Sequence, residues 1–461
     1  MKKHLRRSGR VTRVFAAAAA LALVATACNG DDTTDADDPD DTVDVDDDPD
    51  DDLDDADTDL DDDLDDGDDD GDDDGDAAGD GDTLVIGRIS ALEGAFAEAA
   101  ADGELTTEMA IEQFGGEVAG RPIETIVESS DTTPETAVDR ARKLVEQDGV
   151  DIIHGPLSGG EGAALADYAH EVPHVTFVDS ASGGTETTLD NPADNYFRWH
   201  SEGAMWTSPL GEYVHDTLGY SNIATLAEDY SFGHAQMGGF VESYCGAGGD
   251  IAEMFWVPLG ENDYSSVIAS AQSADIEAMF VAVGGSDAVD FLTQANDFGL
   301  DVPLIGGSIL VTEDVLGSEG NVRDSAQGIV TSSPMPPADA DLPDWQEFLD
   351  DYRALDGALD APTLQAALYY NSMYALLLAL EEVDGVVEED DGEALRAAMS
   401  DLEWDSPLGP LSLNENRQAS TSIFISEIVE DGDDLGTDLL DTVEGVEQGD
   451  VVWERVDSCP S

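Results

Sequence analysis

The sequence predicts an α/β fold in which two lobes, each built on a parallel sheet, face each other across a cleft. Short apolar runs alternate with amphipathic stretches over residues 83–178, and the same alternation returns over residues 222–305. Strands that alternate with helices of this length form parallel sheets covered on both faces. Residues 83–461 are too many for one ordinary core and suit two lobes.

The chain begins with the pattern of a secretory leader. Basic residues up to Arg13 precede an apolar run over residues 14–25, and small residues then precede Cys28. The apolar run is shorter than the roughly 20 residues needed to cross a bilayer. We therefore expect residues 1–27 to be a cleaved signal peptide and Cys28 to be lipidated. The alternative is ordinary cleavage next to an unmodified Cys28.

Residues 28–82 follow as an acidic segment. Of the 52 residues from position 31 to position 82, 32 are Asp, and none is Lys, Arg or Glu. Such a segment cannot bury enough apolar surface to offset its chain entropy. We predict a disordered tether between the lipidated cysteine and the folded lobes.

The charge balance excludes one class of partner. The chain has 106 acidic and 17 basic residues, a formal net charge of −89. Phosphates would be repelled, so nucleic acid is not an expected partner. The same charge destabilises a compact state at low ionic strength, which suggests an acidic surface adapted to high salt, typical of a halophilic source.

The elements can be placed in order along the chain. In the first series we predict strands at 83–89, 123–127, 150–154 and 175–178, with helices at 103–114, 134–148 and 161–170. Thr133 and Pro134 give the second of these helices a capping hydroxyl and a proline at its first position. In the second series we predict strands at 222–226, 253–257, 278–283 and 303–305, with helices at 233–244, 264–273 and 287–298. Residues 343–402 are expected to be nearly all helical, and residues 421–428 alternate like an edge strand.

Two cysteines remain once Cys28 is set aside. Cys245 and Cys459 would lie in an oxidising compartment, where a disulfide can persist and would pin the C-terminal tail to the body. Two free thiols are the equal alternative.

Several motifs together resemble a known family. They are Gly155-Pro156-Leu157-Ser158-Gly159, the segments 173–182 and 196–198, Glu228-Asp229-Tyr230-Ser231-Phe232-Gly233, and the segments 303–308 and 409–413. In order and spacing they resemble the branched-chain amino-acid-binding (Leu/Ile/Val-binding) family of ABC-transporter substrate-binding proteins, over essentially all of residues 83–461. The resemblance implies the type I periplasmic binding protein fold, with two Rossmann-like lobes joined by three crossings, near 198–203, 332–337 and 406–411. The first lobe would then comprise residues 83–200 and 336–407, and the second residues 201–335 and 408–461.

The same resemblance, with the position of loops at strand ends, indicates ligand-binding residues. Glycines and hydroxyls in two loops of the first lobe are expected to point into the cleft, and aromatic side chains could wall an apolar part of the ligand. The candidates are Ser158, Gly159, Gly160, Ser180, Ser182, Phe96, Tyr230, Phe232 and Ser308. Gly159 stands where the family has a carboxylate-binding serine, and Ser308 where it has an acid that receives the ligand's ammonium group. Both loops could instead be tight turns rich in small residues.

The sequence contains little evidence for a catalytic site. Pro156 replaces the first glycine of a nucleophile elbow around Ser158. Pro173 ends the helix between His170 and His174, so these two should not share a face as metal ligands. We expect a protein that is not an enzyme and that has no metal or cofactor.

These observations together predict a lipid-anchored, extracytoplasmic and monomeric solute-binding protein of an ABC importer. It would close its lobes around a small solute, an amino acid or related carboxylate or amide, and deliver it to the permease and ATPase subunits. The alternative is a sensory or regulatory ligand-binding ectodomain of the same fold.

Overall fold

The computed structural model describes residues 83–94, 96–387, 391–432 and 434–460. The expected signal peptide, Cys28 and the acidic tether lie outside the described residues. Within the described ranges, no helix combines the length and the apolar character needed to cross a membrane.

The first lobe is built on a six-stranded sheet. Its strands are β1 (Leu84–Ser90), β2 (Glu117–Val118), β3 (Arg121–Ser129), β4 (Ile152–His154), β5 (Thr176–Asp179) and β6 (Tyr196–Arg198), in the order β2-β3-β1-β4-β5-β6. All pairs are parallel except β2 with β3. The intervening helices are α1 (Ala97–Gln113), α2 (Pro134–Glu146), α3 (Gly159–Ala169) and α4 (Glu186–Leu189). This alternation confirms the predicted α/β class.

The second lobe repeats the scheme. Its helices are α5 (Gly203–Asp216), α6 (Ser231–Ala247), α7 (Ser265–Ser273), α8 (Gly285–Asp297), α9 (Glu313–Leu316) and α10 (Asn321–Ala326). Its strands are β7 (Asn222–Glu228), β8 (Asp250–Val257), β9 (Ala278–Ala282), β10 (Leu304–Gly306) and β11 (Val330–Ser333). These five strands pair in parallel in the order β11-β10-β9-β7-β8. Phe240 of α6 stacks on Phe280 of β9 with ring centroids 3.9 Å apart, which fixes this helix on the sheet.

The chain then returns to the first lobe as helices. These are α11 (Pro343–Tyr352), α12 (Leu364–Glu382) and α13 (Glu393–Asp401). Helix α12 is apolar around most of its circumference because it is buried. Thr106 of α1 donates a hydrogen bond to the Ala366 carbonyl at 2.7 Å, and Tyr352 donates to Asp102 at 2.7 Å. The helical stretch predicted at 343–402 is therefore three helices that pack on the first lobe.

The last strands complete the second sheet. They are β12 (Glu403–Ser406), β13 (Gly409–Leu413), β14 (Ala419–Asp431) and β15 (Asp434–Val446). Antiparallel pairing joins β12 to β13, β13 to β14, β14 to β11 and β15 to β14, giving nine strands. The prediction of an edge strand at 421–428 is wrong, because β14 has partners on both sides. The pairing of β12 with β13 joins residues 403–406 to the second sheet.

The chain thus passes between the lobes three times. We call residues 199–202 the first connection and residues 334–342 the second connection. The third connection is Leu402, and the β12–β13 hairpin follows it directly.

The C-terminal tail, residues 447–460, lies against both lobes. A disulfide joins Cys245 of α6 to Cys459. The Trp256 indole donates a hydrogen bond to the Val456 carbonyl at 3.0 Å, again in the second lobe. The backbone N–H of Trp453 donates to Thr185 Oγ1 of the first lobe at 3.0 Å. The tail is therefore a further link between the lobes.

Candidate functional site

Hydroxyl side chains collect at the carboxyl edge of the first sheet. The loops after β4 and β5 contain Ser158, Ser180 and Ser182. Because these strands are parallel, their carboxyl ends lie at one edge, where ligands of open α/β sheets bind. The sheet therefore brings the two predicted loops together.

Ser158 caps helix α3, and its hydroxyl is already engaged in hydrogen bonds within the first lobe. Its hydroxyl accepts the Glu161 N–H at 3.4 Å and donates to the Thr132 carbonyl at 3.1 Å. The Glu161 carboxyl accepts the Ser158 N–H at 3.1 Å, which completes a capping box. Burial raises the pKa of Glu161. The start of α3, a helix N-terminus of the kind that favours anions, already holds a carboxyl of the chain.

The two glycines that follow Ser158 differ in their surroundings. A methyl group at Gly159 would lie 2.9 Å from the Gly184 backbone nitrogen and 3.6 Å from Ser231 Oγ of the second lobe. At Gly160 the nearest atom would be Pro134 Cγ at 3.5 Å, on the side of α2. Gly159 therefore faces the opposite lobe, and Gly160 faces its own.

Ser180 and Ser182 are fully buried and direct their hydroxyls into the first lobe. Ser180 donates to the Pro156 carbonyl at 2.7 Å. The Ser182 hydroxyl and N–H both donate to the carboxylate of Asp179, the latter at 2.7 Å. These bonds fix the conformation of the loop, so its contribution to a ligand would come from the backbone of residues 180–184.

Asp179 organises this region from the end of β5. Besides Ser182, it accepts the Tyr196 hydroxyl at 2.8 Å and faces His200 Nε2 at 3.1 Å. Burial, and secondarily Asp179, raise the pKa of Tyr196. Since His200 lies in the first connection, the loop is tied to the point where the chain leaves the lobe.

Two buried arginines of the first lobe, Arg88 and Arg198, make their ion pairs and hydrogen bonds within the chain. Arg198 is fully buried and donates to the carbonyls of Ser182 and Gly184, at 3.2 and 2.6 Å, and to Thr188 Oγ1 at 2.7 Å. Arg88 pairs with Glu104 and Glu108. Both guanidinium groups therefore act in packing rather than as a clamp open to a ligand.

The lobes touch where the second loop meets the start of α6. A methyl group at Gly183 would lie 2.7 Å from the Phe232 ring, and the Gly203 N–H donates to the Gly183 carbonyl at 2.9 Å. Phe232 also packs edge-on against Trp206, with ring centroids 5.1 Å apart. Of the predicted site residues, Gly159 and Phe232 lie at this contact.

The other predicted residues surround this contact at different depths. Tyr230 directly precedes α6, its ring centroid is 6.3 Å from that of Phe232, and burial raises its pKa. Ser308 donates through its N–H and hydroxyl to Gln236 of α6, at 3.0 and 3.2 Å. Phe96 is 44% exposed just before α1. Tyr230, Ser308 and Phe96 all have uncharged side chains, so none of them could form an ion pair with a ligand.

Sequence reasoning missed Gly183 and Ser231 as contact residues. A signal for each was present, because Gly183 and Gly184 directly follow the predicted second loop, and Ser231 lies between the predicted Tyr230 and Phe232. What the sequence does not contain is the approach of two loops from different lobes.

An acid with a raised pKa lies at the end of strand β7 in the second lobe. Glu228 ends β7, and burial together with the nearby Asp287 raises its pKa to about 8, although the Gly284 N–H opposes the shift. Asp287 in turn accepts the Gly260 N–H at 2.6 Å. In the described part of the chain, no group of three or more His, Cys, Asp or Glu residues is placed to hold a metal ion.

Comparison with known proteins agrees with this architecture. The family model for periplasmic binding proteins matches residues 83–433. A curated relative, Leu/Ile/Val-binding protein homolog 6 of Brucella melitensis, is 23% identical over 365 residues, which cover 76% of this chain and 89% of that protein.

Solved structures extend the match. An ABC transporter substrate-binding protein from Sphaerobacter thermophilus is 28% identical with a TM-score of 0.74, covering 79% of this chain and 99% of that one. A solute-binding protein of an ABC transporter from Rhodopseudomonas palustris, in complex with 3,4-dihydroxybenzoic acid, is 26% identical with a TM-score of 0.71, covering 79% and 98%. With two lobes, a loop-lined contact between them and a family model that spans most of the sequence, this chain belongs to the periplasmic binding protein family and has its type I fold.

Proposed function

We propose that this protein is the lipid-anchored solute-binding component of an ABC importer. It captures a small carboxylate, an amino acid or a related acid, outside the cytoplasm and delivers it to a permease driven by an ATPase. The family supports the binding role, and the solute class rests on the start of helix α6.

The start of α6 is suited to a carboxylate. Its first turn contains no acidic residue, and Tyr230 provides no side-chain cap, in a chain with 106 acidic residues. Uncapped N–H groups at a helix N-terminus, together with the helix dipole, bind anions. Ser231 and Phe232 in this turn face Gly159 and Gly183 of the first lobe. A carboxylate held here would contact both lobes.

Of the two acids that precede α6, Asp229 is paired with His234 and Arg455, and Glu228 does not oppose such a guest at neutral pH. Because the pKa of Glu228 is raised to about 8, its carboxyl is mainly protonated at pH 7. A neutral carboxyl adds no repulsion and can donate a hydrogen bond.

The remainder of the solute is expected to be apolar and compact. Phe232, Tyr230 and Trp206 form a chain of ring contacts beside the start of α6. Such rings bury aliphatic or aromatic groups favourably. The related proteins named for Leu, Ile and Val, and for 3,4-dihydroxybenzoic acid, fit the same description of a carboxylate on an apolar body.

Lobe closure supplies the capture mechanism. A solute that contacts both lobes only when they approach shifts an existing equilibrium between open and closed forms. The contact of Gly183 with Phe232 belongs to the closed arrangement, and the three connections permit the lobes to rotate about them.

A paired ligand screen tests the solute class. Purified protein in high salt would be heated with leucine, isoleucine, valine, benzoate and 3,4-dihydroxybenzoate, and with the matched amides leucinamide and benzamide. A true ligand at about a hundredfold its Kd adds roughly 2.7 kcal/mol of apparent stability. We expect at least one carboxylate to raise Tm and its amide to have a much smaller effect. Equal shifts for acid and amide would overturn the assignment to α6.

Anchoring and delivery need separate tests in cells. Mass spectrometry of the N-terminal peptide should find Cys28 acylated, and Cys28→Ser should release the protein from the membrane fraction. Import of the labelled solute should be lost on deletion of the gene and restored by the wild-type chain. Normal import in the deletion strain, with a changed transcriptional response to the solute, would favour the sensory alternative.

A further inference from the structure

A small cavity lies where the connections between the lobes meet. Its volume is about 10 Å³. The lining includes Trp199 and Ser201 of the first connection, Pro334 of the second connection and Leu408 of the β12–β13 hairpin. Helix α12 and strand β14 complete the walls. A space of this size holds one water molecule and excludes an organic ligand.

Four polar atoms on the lining residues have no hydrogen-bond partner in the described chain. They are Trp199 Nε1, Ser201 Oγ, Asn371 Oδ1 and Thr421 Oγ1. The four residues are 0, 0, 1 and 5% exposed. Buried polar groups in native proteins are paired, commonly through internal water. Four such atoms, all on residues that line one water-sized cavity, are candidates to share a water molecule there.

The orientation of the Asn371 amide is fixed by its other partner. Ser406 Oγ donates its one hydrogen to the Gly409 carbonyl at 2.8 Å. It must therefore accept from Asn371, whose Nδ2 lies 3.2 Å away. The Asn371 oxygen is consequently the amide atom left as an acceptor without a partner in the described chain.

We propose that this cavity is a binding site for a single water molecule that joins the first connection, helix α12 and strand β14. The hydrogen-bonding capacity of the four atoms matches water. The Trp199 N–H can only donate, the Asn371 oxygen can only accept, and the two hydroxyls can do either. One water accepts from Trp199 and one hydroxyl, and donates to Asn371 and the other hydroxyl.

The water would lie beside the connections about which the lobes rotate, and would link them to both lobes. Trp199 and Ser201 belong to the segment that leaves the first lobe, Asn371 to a helix of the first lobe, and Thr421 to the second sheet. A shared water can keep all four atoms paired while the connections change angle, which direct bonds of fixed length cannot do. This site is separate from the start of α6 and does not depend on which solute binds there.

Diffraction and solution relaxation test the proposal on the full mature chain. A high-resolution crystal structure should contain one ordered water within about 3.2 Å of at least three of the four atoms. Water oxygen-17 relaxation dispersion should detect long-lived internal water, and Trp199→Phe and Thr421→Val should each reduce the signal by the contribution of one molecule.

Thr225→Val is the matched control. Thr225 is fully buried in β7 and its Oγ1 also has no partner in the described chain, but it does not line this cavity. The cavity water should persist in this variant. An empty cavity in the wild-type crystal structure, or relaxation signals from Thr421→Val equal to those of wild type, would overturn the proposal. Thr421→Val serves if Trp199→Phe fails to fold.

Discussion

Gly183 is the residue at which the absence of a side chain matters most for lobe contact. A methyl group there would lie 2.7 Å from the Phe232 ring, well inside normal contact distance. We predict that Gly183→Ala holds the lobes apart, because overpacking of this kind costs about 1–3 kcal/mol. Solute affinity measured by calorimetry should fall by about tenfold, which corresponds to about 1.4 kcal/mol.

Gly246→Ala provides the control for that change. Gly246 lies in the same helix as Phe232, and nothing lies within 4 Å of a methyl group built there. Its affinity should equal that of wild type. Equal affinity for the Gly183→Ala variant would show that Phe232 does not need to approach this loop for binding.

Glu228 should make stability fall as the pH rises. Its pKa is near 8 in the folded chain against an ordinary value of 4.5, so the folded state holds a proton that the unfolded state releases between these values. Its contribution is complete below about pH 4.5 and is lost as the pH rises toward 8, by at most about 1.4 kcal/mol per pH unit. We predict that Glu228→Gln flattens the decline of the unfolding free energy measured by urea titration from pH 5.5 to 8.5.

Glu277 offers a control of opposite character. It is fully exposed, and N–H and hydroxyl donors from Ser221, with the Asn222 N–H, lower its pKa. Its titration therefore lies at acidic pH, and Glu277→Gln should leave the slope between pH 5.5 and 8.5 unchanged. A Glu228→Gln slope equal to that of wild type would mean that another buried acid carries the effect, such as Glu202, whose pKa burial raises to about 7.

At the scale of elements, the C-terminal tail should stabilise the second lobe. Beyond the Cys245–Cys459 disulfide, Arg455 pairs with Asp229 at 2.8 Å, and a methyl group at Gly238 would collide with the Trp453 ring at 2.2 Å. Replacing both cysteines by Ser should lower the free energy of unfolding by about 2–4 kcal/mol, mainly by releasing a long closed loop in the unfolded chain. Chemical denaturation with and without reductant measures this.

The reductant supplies the internal control. Wild type in reductant should approach the double variant, and the double variant should not respond to reductant. If all four conditions unfold at one denaturant concentration, the tail contacts alone hold the second lobe together and the cross-link contributes nothing measurable.

The helices and strands also show which features of the fold can be predicted from the sequence. Pro134 predicts the start of α2 correctly, because a proline at the first position is a local signal, but the predicted capping role of the Thr133 hydroxyl is wrong, because it makes no capping hydrogen bond and donates to Asp131 instead. The alternation over residues 421–428 predicts an edge strand, yet β14 pairs with β11 on one side and with β15 on the other. Pairing across a long hairpin overrode local composition there.

The candidate site likewise has some features that the sequence predicts and others that depend on tertiary contacts. The loops at 158–160 and 180–182 could be located from strand order and small residues. The capture of the Ser182 hydroxyl by Asp179, and the approach of Phe232 to Gly183, depend on tertiary contacts that no local pattern encodes. Hydroxyls that looked available to a ligand are therefore used to shape the loop.

At the scale of the whole molecule, the net charge sets the response to salt. The chain has 106 acidic and 17 basic residues. Repulsive contacts between carboxylates are therefore more numerous than attractive ion pairs such as that of Lys143 with Glu128. Screening shortens from about 10 Å at 0.1 M salt to about 3 Å at 1 M. We predict that Tm rises between 0.05 and about 2 M KCl, because weakened repulsion favours the compact state.

Stabilisation by charge screening can be distinguished from the general stabilisation that excluded cosolutes give. Sucrose at equal osmolality favours compact states without screening charge, and should raise Tm less than KCl does at low concentrations. Most of the rise in KCl should occur below about 1 M, where the screening length changes fastest. A Tm that is unchanged by KCl, or that rises equally in sucrose, would refute an acidic surface adapted to high salt, and would assign the excess of carboxylates to solubility alone.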